Sequence, residues 1–263
     1  MRVPVTKMHG TRNDFVILDR RTVPLDDLES FARCACDRHA GIGADGAIVI
    51  DASTVADVRM RIFNADASEA EMCGNGIRCA ARWLDEAGEG ERLRFETSAG
   101  PIETEIVSRE PEYLVRVRMG TPRIAATPVP FLDDARYVDL GNPHVVLFRK
   151  RADDIDLTML AARLQTMPAF PRGTNVHIAA VEGKALRVRH WERGVGLTMA
   201  CGTGAVACAS AAIEKGLLAS PVEVFVPGGR LVVEWERGEA AYLIGPAVRV
   251  FDTELRFEAG AAR

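Results

Sequence analysis

Short runs in which apolar and polar residues alternate recur along this chain, and each predicts a strand. Val58, Met60 and Ile62 alternate with Arg59 and Arg61, the period-two pattern of a half-buried strand. Similar runs lie at 47–50, 93–97, 102–107, 113–119, 145–148, 185–190, 222–226, 231–235 and 241–244. Residues 25–37 and 156–164 instead carry apolar positions at helical spacing. Two further stretches echo one another: MCGNGIRCAARWLDEAG at 72–88 and ACGTGAVACASAAIEKG at 200–216. In the first, Ile77, Ala80, Ala81 and Leu84 share a helix face; in the second, Val206, Ala209, Ser210 and Ile213 do. Gly88 and Gly216 stand where a helix ends on a left-handed residue. The Pro/Thr-rich segment 121–130 interrupts the pattern near the middle. The chain therefore reads as an α/β (α+β) protein of two similar halves, each a curved, mostly antiparallel sheet or barrel around one Cys-Gly-x-Gly helix. Residues 1–118 form the first half, with 250–263 as a segment that could complete it, and 119–249 form the second.

Length and charge narrow the picture further. The 263 residues suffice for two halves with their own cores. With a net charge of −4 and no Lys/Arg cluster, neither nucleic acid nor an anionic membrane is expected as a partner. MRVPVTKMHG lacks an apolar signal region, and no apolar run is long enough to cross a bilayer, so a cytoplasmic location is expected. Six cysteines, at 34, 36, 73, 79, 201 and 208, would there be mostly reduced. Cys34, Cys36, Cys79 and Cys208 fall within helical patterns and read as small buried hydrophobes. Their spacing forms no paired Cys-x-x-Cys knuckles, so no metal is expected.

Cys73 and Cys201 are different, because each opens a Gly-x-Gly helix start. Free N–H groups and the positive end of the helix dipole favour an anion there. A thiol at such a place is expected to ionise more readily, in the range of roughly 3.5–7.5 against about 8.5 for a free cysteine. One such unit suggests a nucleophile; two related ones suggest a symmetric task. Inverting an α-carbon needs a base on one face and an acid on the other. Opposed thiols could supply both, while loop amides hold the α-carboxylate as it gains enolate character. Such a reaction needs no pyridoxal phosphate or other cofactor.

Six blocks extend this reading: KMHGTRNDFVILD (7–19), CDRHAGIGADG (36–46), RIFNADASEAEMCGNGIRCAARWL (61–84), LGNPHVV (140–146), FPRGTNV (170–176) and HWERGVGLTMACGTG (190–204). In order and separation they resemble the diaminopimelate epimerases over nearly the full length. The resemblance implies two pseudo-symmetric domains with the site in a cleft, and Cys73 and Cys201 as the acid–base pair. It implies that Gly74, Asn75, Gly202 and Thr203 hold the reacting carboxylate and that Asn13 faces the substrate. Arg193 would take the far carboxylate, Glu192 the far ammonium, and Asn64, Asn142 and Asn175 would supply amides. His144 would tune the proton affinity of one thiol and Glu192 that of the other. The implied protein is a cytoplasmic homodimer that converts LL- to meso-diaminopimelate for lysine and peptidoglycan precursors.

Three positions depart from the family pattern. Leu197 replaces a common Glu, Gly46 stands where some members have a Gln that touches substrate, and Ala67 replaces the Gly of a turn that favours positive φ. Plainer readings stand beside the functional ones. An Asn in a turn usually caps backbone; Glu192–Arg193 suits an exposed pair on a turn, and Gly141-Asn142-Pro143-His144 a tight turn. Arg59 and Arg61 read as a solvated strand face, and His177 and His190 as structural. The competing functions are a racemase or epimerase of another amino acid, such as histidine or hydroxyproline, and a phenazine-biosynthesis type of isomerase, which lacks the cysteine pair. A redox-active or metal-binding thiol protein is the alternative of another class.

Overall fold

The computed structural model describes residues 1–132 and 134–258; of the segment 250–263, residues 259–263 lie outside the described residues. The chain divides into two compact units: Met1–Val117 with the segment that starts at Pro246, and Arg118–Gly245.

In the first unit, β1 (Arg2–Gly10) and β2 (Asn13–Asp19) form an antiparallel hairpin. Helix α1 (Leu28–Cys36) leads to β3 (Gly46–Asp51), parallel to β2. Strand β4 (Val58–Asn64) runs antiparallel to β3, and the short β5 (Glu69–Ala70) folds back on it. Helix α2 (Gly74–Glu86) then leads to β6 (Arg92–Thr97), parallel to β4. β7 (Gly100–Ser108) and β8 (Leu114–Gly120) continue antiparallel.

The second unit repeats that succession. β9 (Arg123–Ala126), β10 (Arg136–Asp139) and β11 (Pro143–Phe148) are antiparallel neighbours. Helix α3 (Leu157–Gln165) leads to β12 (Asn175–Glu182), parallel to β11. β13 (Ala185–Glu192) pairs antiparallel with β12, and the short β14 (Gly196–Thr198) folds back on it. Helix α4 (Gly202–Glu214) leads to β15 (Val222–Val226), parallel to β13, followed by antiparallel β16 (Gly229–Glu234) and β17 (Ala241–Pro246). The chain returns to the first unit as β18 (Val248–Arg256), antiparallel to β1. Each unit is thus a curved mixed sheet around one helix: α2 touches β1, β2, β3, β4, β7 and β18, and α4 touches β9 to β13, β15 and β16. This is the α/β class that the sequence pattern predicts.

Small residues make such close wrapping possible. Ile77, Ala80, Ala81 and Leu84 are buried on α2, and Val206, Ala209 and Ser210 on α4. Both helices end alike: Gly88 (φ +87°) and Gly216 (φ +71°) are left-handed, and the N–H of the residue after each returns to Leu84 O at 3.0 Å and Ala212 O at 2.9 Å. Helix α1 is shorter than its pattern and α3 begins one residue later than its pattern, because aspartates cap both. The Asp27 side chain accepts from Ser30 N, and that of Asp156 from Thr158 N and Met159 N. The interrupted stretch 121–130 holds β9. The alternating strand rule overlooks β2, β12 and most of β1, because these strands are buried on both faces over much of their length.

Gly76 and Gly204 hold matching places in the two helices but meet different walls. A Cβ on Gly76 would lie 3.2 Å from the flexible tip of Ile48, whereas one on Gly204 would lie 2.6 Å from the His177 ring. Gly76→Ala should therefore be near neutral, helped by alanine's helix preference, while Gly204→Ala should cost about 1–3 kcal/mol through overpacking. Urea unfolding of both variants checks this, and equal costs would contradict it.

Candidate active site

The Cys73 end of α2 is built on a strained hairpin. Thr11 (φ +50°) and Arg12 (φ +65°) are the central residues between paired Gly10 and Asn13. That two-residue turn demands positive φ at both places, which a β-branched threonine resists. Arg78 supports the turn from α2. Its guanidinium is wholly buried, and among the described residues it donates to neutral oxygens: Gly74 O at 3.0 Å, Asn75 Oδ1 at 2.8 Å, Thr11 Oγ1 at 3.2 Å and Pro246 O at 3.1 Å. Burial lowers its proton affinity to about 10, which still leaves it charged at neutral pH. Thr11 Oγ1 also donates to Asn75 Oδ1 at 3.1 Å.

This scaffold brings Asn13, Cys73, Gly74 and Asn75 together. Asn13 Oδ1 lies 3.6 Å from Cys73 Sγ and 3.4 Å from Asn75 Nδ2, while Asn13 Nδ2 donates to Asp45 at 2.9 Å. Beneath it Asp14 pairs with Lys7 at 2.6 Å and Arg38 at 3.1 Å. Burial pushes the Asp14 carboxyl up, but hydrogen bonds from Lys7 and Arg38 outweigh it and hold the pKa down at about 2. Asn64 ends β4 at the start of the loop to β5, with Nδ2 donating to Ser68 Oγ at 2.9 Å. Ala67 in that loop takes φ +69°, as the turn's usual glycine would. At Gly46 a Cβ would meet Phe63 O at 2.7 Å, so the backbone there admits a side chain only by moving.

The second unit assembles Asn142, His144, Asn175, Glu192, Arg193, Cys201, Gly202 and Thr203. Cys201 is the N-cap of α4; its Sγ accepts from Gly204 N at 3.3 Å and lies 3.6 Å from Thr203 Oγ1. The expected readier ionisation does not hold here. Burial pushes the Cys201 thiol well above its ordinary range, and the adjacent Glu192 charge pushes it further, outweighing the bonds from Thr203 and Gly204. Glu192, whose carboxyl faces Cys201 and Thr198, is itself raised, first by burial. A neutral thiol beside a carboxyl is the resting arrangement at this helix tip.

Asn175 acts as a bracket: Oδ1 accepts from Arg193 N at 3.0 Å, and Nδ2 donates to Pro143 O at 2.9 Å. The Arg193 guanidinium is exposed and donates to Arg172 O at 3.0 Å, while Glu192 turns toward Cys201, so the two do not form a surface pair. His144 is fully buried, with Nε2 on Asn142 Oδ1 at 2.8 Å and Nδ1 on His177 Nε2 at 2.9 Å. His177 Nδ1 in turn meets His190 Nδ1 at 2.9 Å. Leu197 is 55% exposed on β14. Sequence reasoning missed Thr11, Arg78 and the joining of His177 and His190 to His144. An arginine directly after the apolar Ile77 near the start of a closely wrapped helix was the available signal for Arg78.

A family profile described as diaminopimelate epimerase matches residues 5–125 and 136–250. A diaminopimelate epimerase of Rhizorhabdus wittichii is 43% identical over 279 aligned positions, covering 100% of this chain and 98% of its own. One from Archaeoglobus fulgidus is 44% identical, covering 97% of each chain. Among solved structures, a Bacillus anthracis phenazine biosynthesis protein of the PhzF family superposes with a TM-score of 0.76 at 19% identity, over 98% of this chain and 100% of its own. A hydroxyproline epimerase of Agrobacterium vitis gives 0.66 at 14% identity, over 96% and 90%. These two likenesses establish the shared fold.

Two outcomes follow from the charges. Glu192→Gln removes the anion beside Cys201, so its thiol should ionise at lower pH; a thiolate-absorbance titration, with Cys201→Ser subtracted, reads the shift. An unchanged midpoint would refute the coupling. Burial also lowers His144 and His190 to about 3, and His177 well below its ordinary value. Below the ordinary value of 6.5 the unfolded chain takes up protons that these folded imidazoles refuse. Their contribution to stability is therefore full above that pH and is lost as pH falls, by up to about 1.4 kcal/mol per unit for each histidine. Denaturant melts at stepped pH test it, and a rise in stability on acidification through this window would contradict it.

Proposed function

This chain belongs to the diaminopimelate epimerase family, isomerases that work without pyridoxal phosphate, and we propose that Cys73 and Cys201 are the two acid–base groups with which it interconverts LL- and meso-diaminopimelate. The observation that carries this reading is the duplicated helix tip: in each unit a cysteine sits at the N-cap of a 13-residue helix that opens Gly-x-Gly. One thiolate takes the α-proton, and the electron pair left on carbon delocalises into the α-carboxylate. The opposite thiol then gives its proton to the other face of the carbon, and its sulfur is left as thiolate. The protein ends with the two protonation states exchanged.

The amides of Gly74, Asn75, Gly202 and Thr203 hold the carboxylate as its charge grows, each donor worth about 3–4 kcal/mol in comparable sites. Burial and Glu192 keep Cys201 protonated at rest, so it begins as the acid. Cys73, whose thiol donates to Asn13 Oδ1 at rest, serves as the base once it has given up that proton. Glu192 acts chiefly on that thiol and secondarily on the distal ammonium. Arg193 reads the distal carboxylate, with Asn64 and Asn142 as amide partners and Asn175 fixing the loops that carry Asn142 and Arg193. His144 acts on proton affinity through its bond to Asn142. The reading also carries a cytoplasmic homodimer serving lysine and peptidoglycan precursor supply; no helix among the described residues is long and apolar enough to cross a membrane.

Cys73→Ala and Cys201→Ala should each reduce epimerisation of LL-diaminopimelate by about a thousandfold or more, the scale of losing a general acid or base and one half of a coupled pair. In deuterated water the inverted centre should acquire solvent deuterium. Inversion that retains the original hydrogen, or turnover of single-ended amino acids but not of diaminopimelate, would overturn the assignment.

A further inference from the structure

Three histidines from adjacent strands form one buried row in the second unit. Val145, Leu147, Val176 and Ile178 face the core that includes Leu157, Ala161 and Leu164 of α3. By strand alternation, His144 on β11, His177 on β12 and His190 on β13 face the other way, toward α4. His177 and His190 are direct cross-strand partners. All three side chains are essentially inaccessible to solvent, at 0%, 0% and 1%. Their rings are in contact, with centroids 5.1 Å and 4.8 Å apart.

Counting protons fixes the polarity of this row. Burial keeps each ring neutral, so three N–H groups are shared among six ring nitrogens. Two must lie in the two ring-to-ring contacts, which leaves one. Asn142 Oδ1 can only accept, so the remaining N–H is on His144 Nε2. His144 Nδ1 must then accept from His177 Nε2–H, and His177 Nδ1 must accept from His190 Nδ1–H. His190 Nε2 is left as a bare lone pair, and it is the atom that has no partner among the described residues. The reversed row would instead bury an unsatisfied N–H at that atom, the rarer and costlier defect. The row also lies against the first turn of α4, where the His177 and His190 rings occupy the space next to Gly204.

We propose that His177 and His190 are positioning residues that lock the polarity of His144 and so make Asn142 an obligate hydrogen-bond donor, selecting a carboxylate oxygen over an ammonium at that point of the substrate. With Oδ1 held by His144, the Asn142 amide N–H groups are what remains to face a ligand, and they suit an acceptor. This rests on the proposed placing of Asn142 at the substrate. The tautomers themselves do not depend on it.

Two-bond proton–nitrogen correlations on protein labelled with 15N-histidine read the tautomers directly. The expected set is Nε2–H on His144, Nε2–H on His177 and Nδ1–H on His190. The mirrored set, or an imidazolium at neutral pH, overturns the lock. His177→Phe breaks the row and should raise KM for LL-diaminopimelate roughly tenfold while kcat changes by less than about twofold. His177→Gln keeps both ends of the pattern, donating to His144 and accepting from His190, and should restore KM to within about threefold of the parent. A folded Phe variant with parental KM, or a Gln variant as weak as Phe, refutes the specificity role. Absence of epimerisation in the parent defeats the proposed function and the specificity claim with it, while the tautomer assignment is judged by the resonances alone.

Discussion

A positive charge that has no carboxylate partner among the described residues lies at the base of the Cys73 site. Arg78 is sealed from solvent and held by oxygens from the hairpin turn, the first turn of α2 and Pro246. Burying a charge is costly unless its donors are satisfied, and four neutral acceptors take up four of its five N–H groups without cancelling the charge. The guanidinium thus does two things at once. It ties three chain segments into one rigid corner, and it leaves a positive field under a helix tip that already favours anions. The placing of Asn13, Asn75 and the loop amides follows from that corner.

The second unit solves the same problem with different residues. The matching place on α4 is Val206, and no buried cation stands there. A carboxyl faces the thiol, and a row of neutral imidazoles braces the helix start. The backbone plan is duplicated, but the electrostatics are opposed: one cysteine has a cation beneath its helix tip and the other has an anion beside it.

Much of the plan could be read from the sequence because it rests on periodic patterns. The echo between 72–88 and 200–216 located both central helices, and Gly88 and Gly216 marked their ends. Ala67 was read correctly as a residue in a glycine's conformation. The rest was hidden for definite reasons. Strands buried on both faces lose their alternation, so β2 and β12 left no period-two trace. Glu192 was legible as a neighbour that tunes a thiol, but the burial that chiefly keeps Cys201 from ionising exists only in the folded second unit. His177 and His190 looked structural because their partnership exists only once β11, β12 and β13 are side by side.

The turn at Thr11 and Arg12 bears on how the chain reaches this state. Turns of this kind nucleate hairpins when Asn-Gly fills them, because the isolated segment already favours the bend. Thr-Arg does not, so β1 and β2 gain little from their own connection. The turn becomes stable only when α2 arrives with Arg78 and Asn75 to hold it. The connection between β1 and β2 thus depends on side chains 64 and 67 residues further along, so the amino-terminal hairpin and α2 hold their shapes only together.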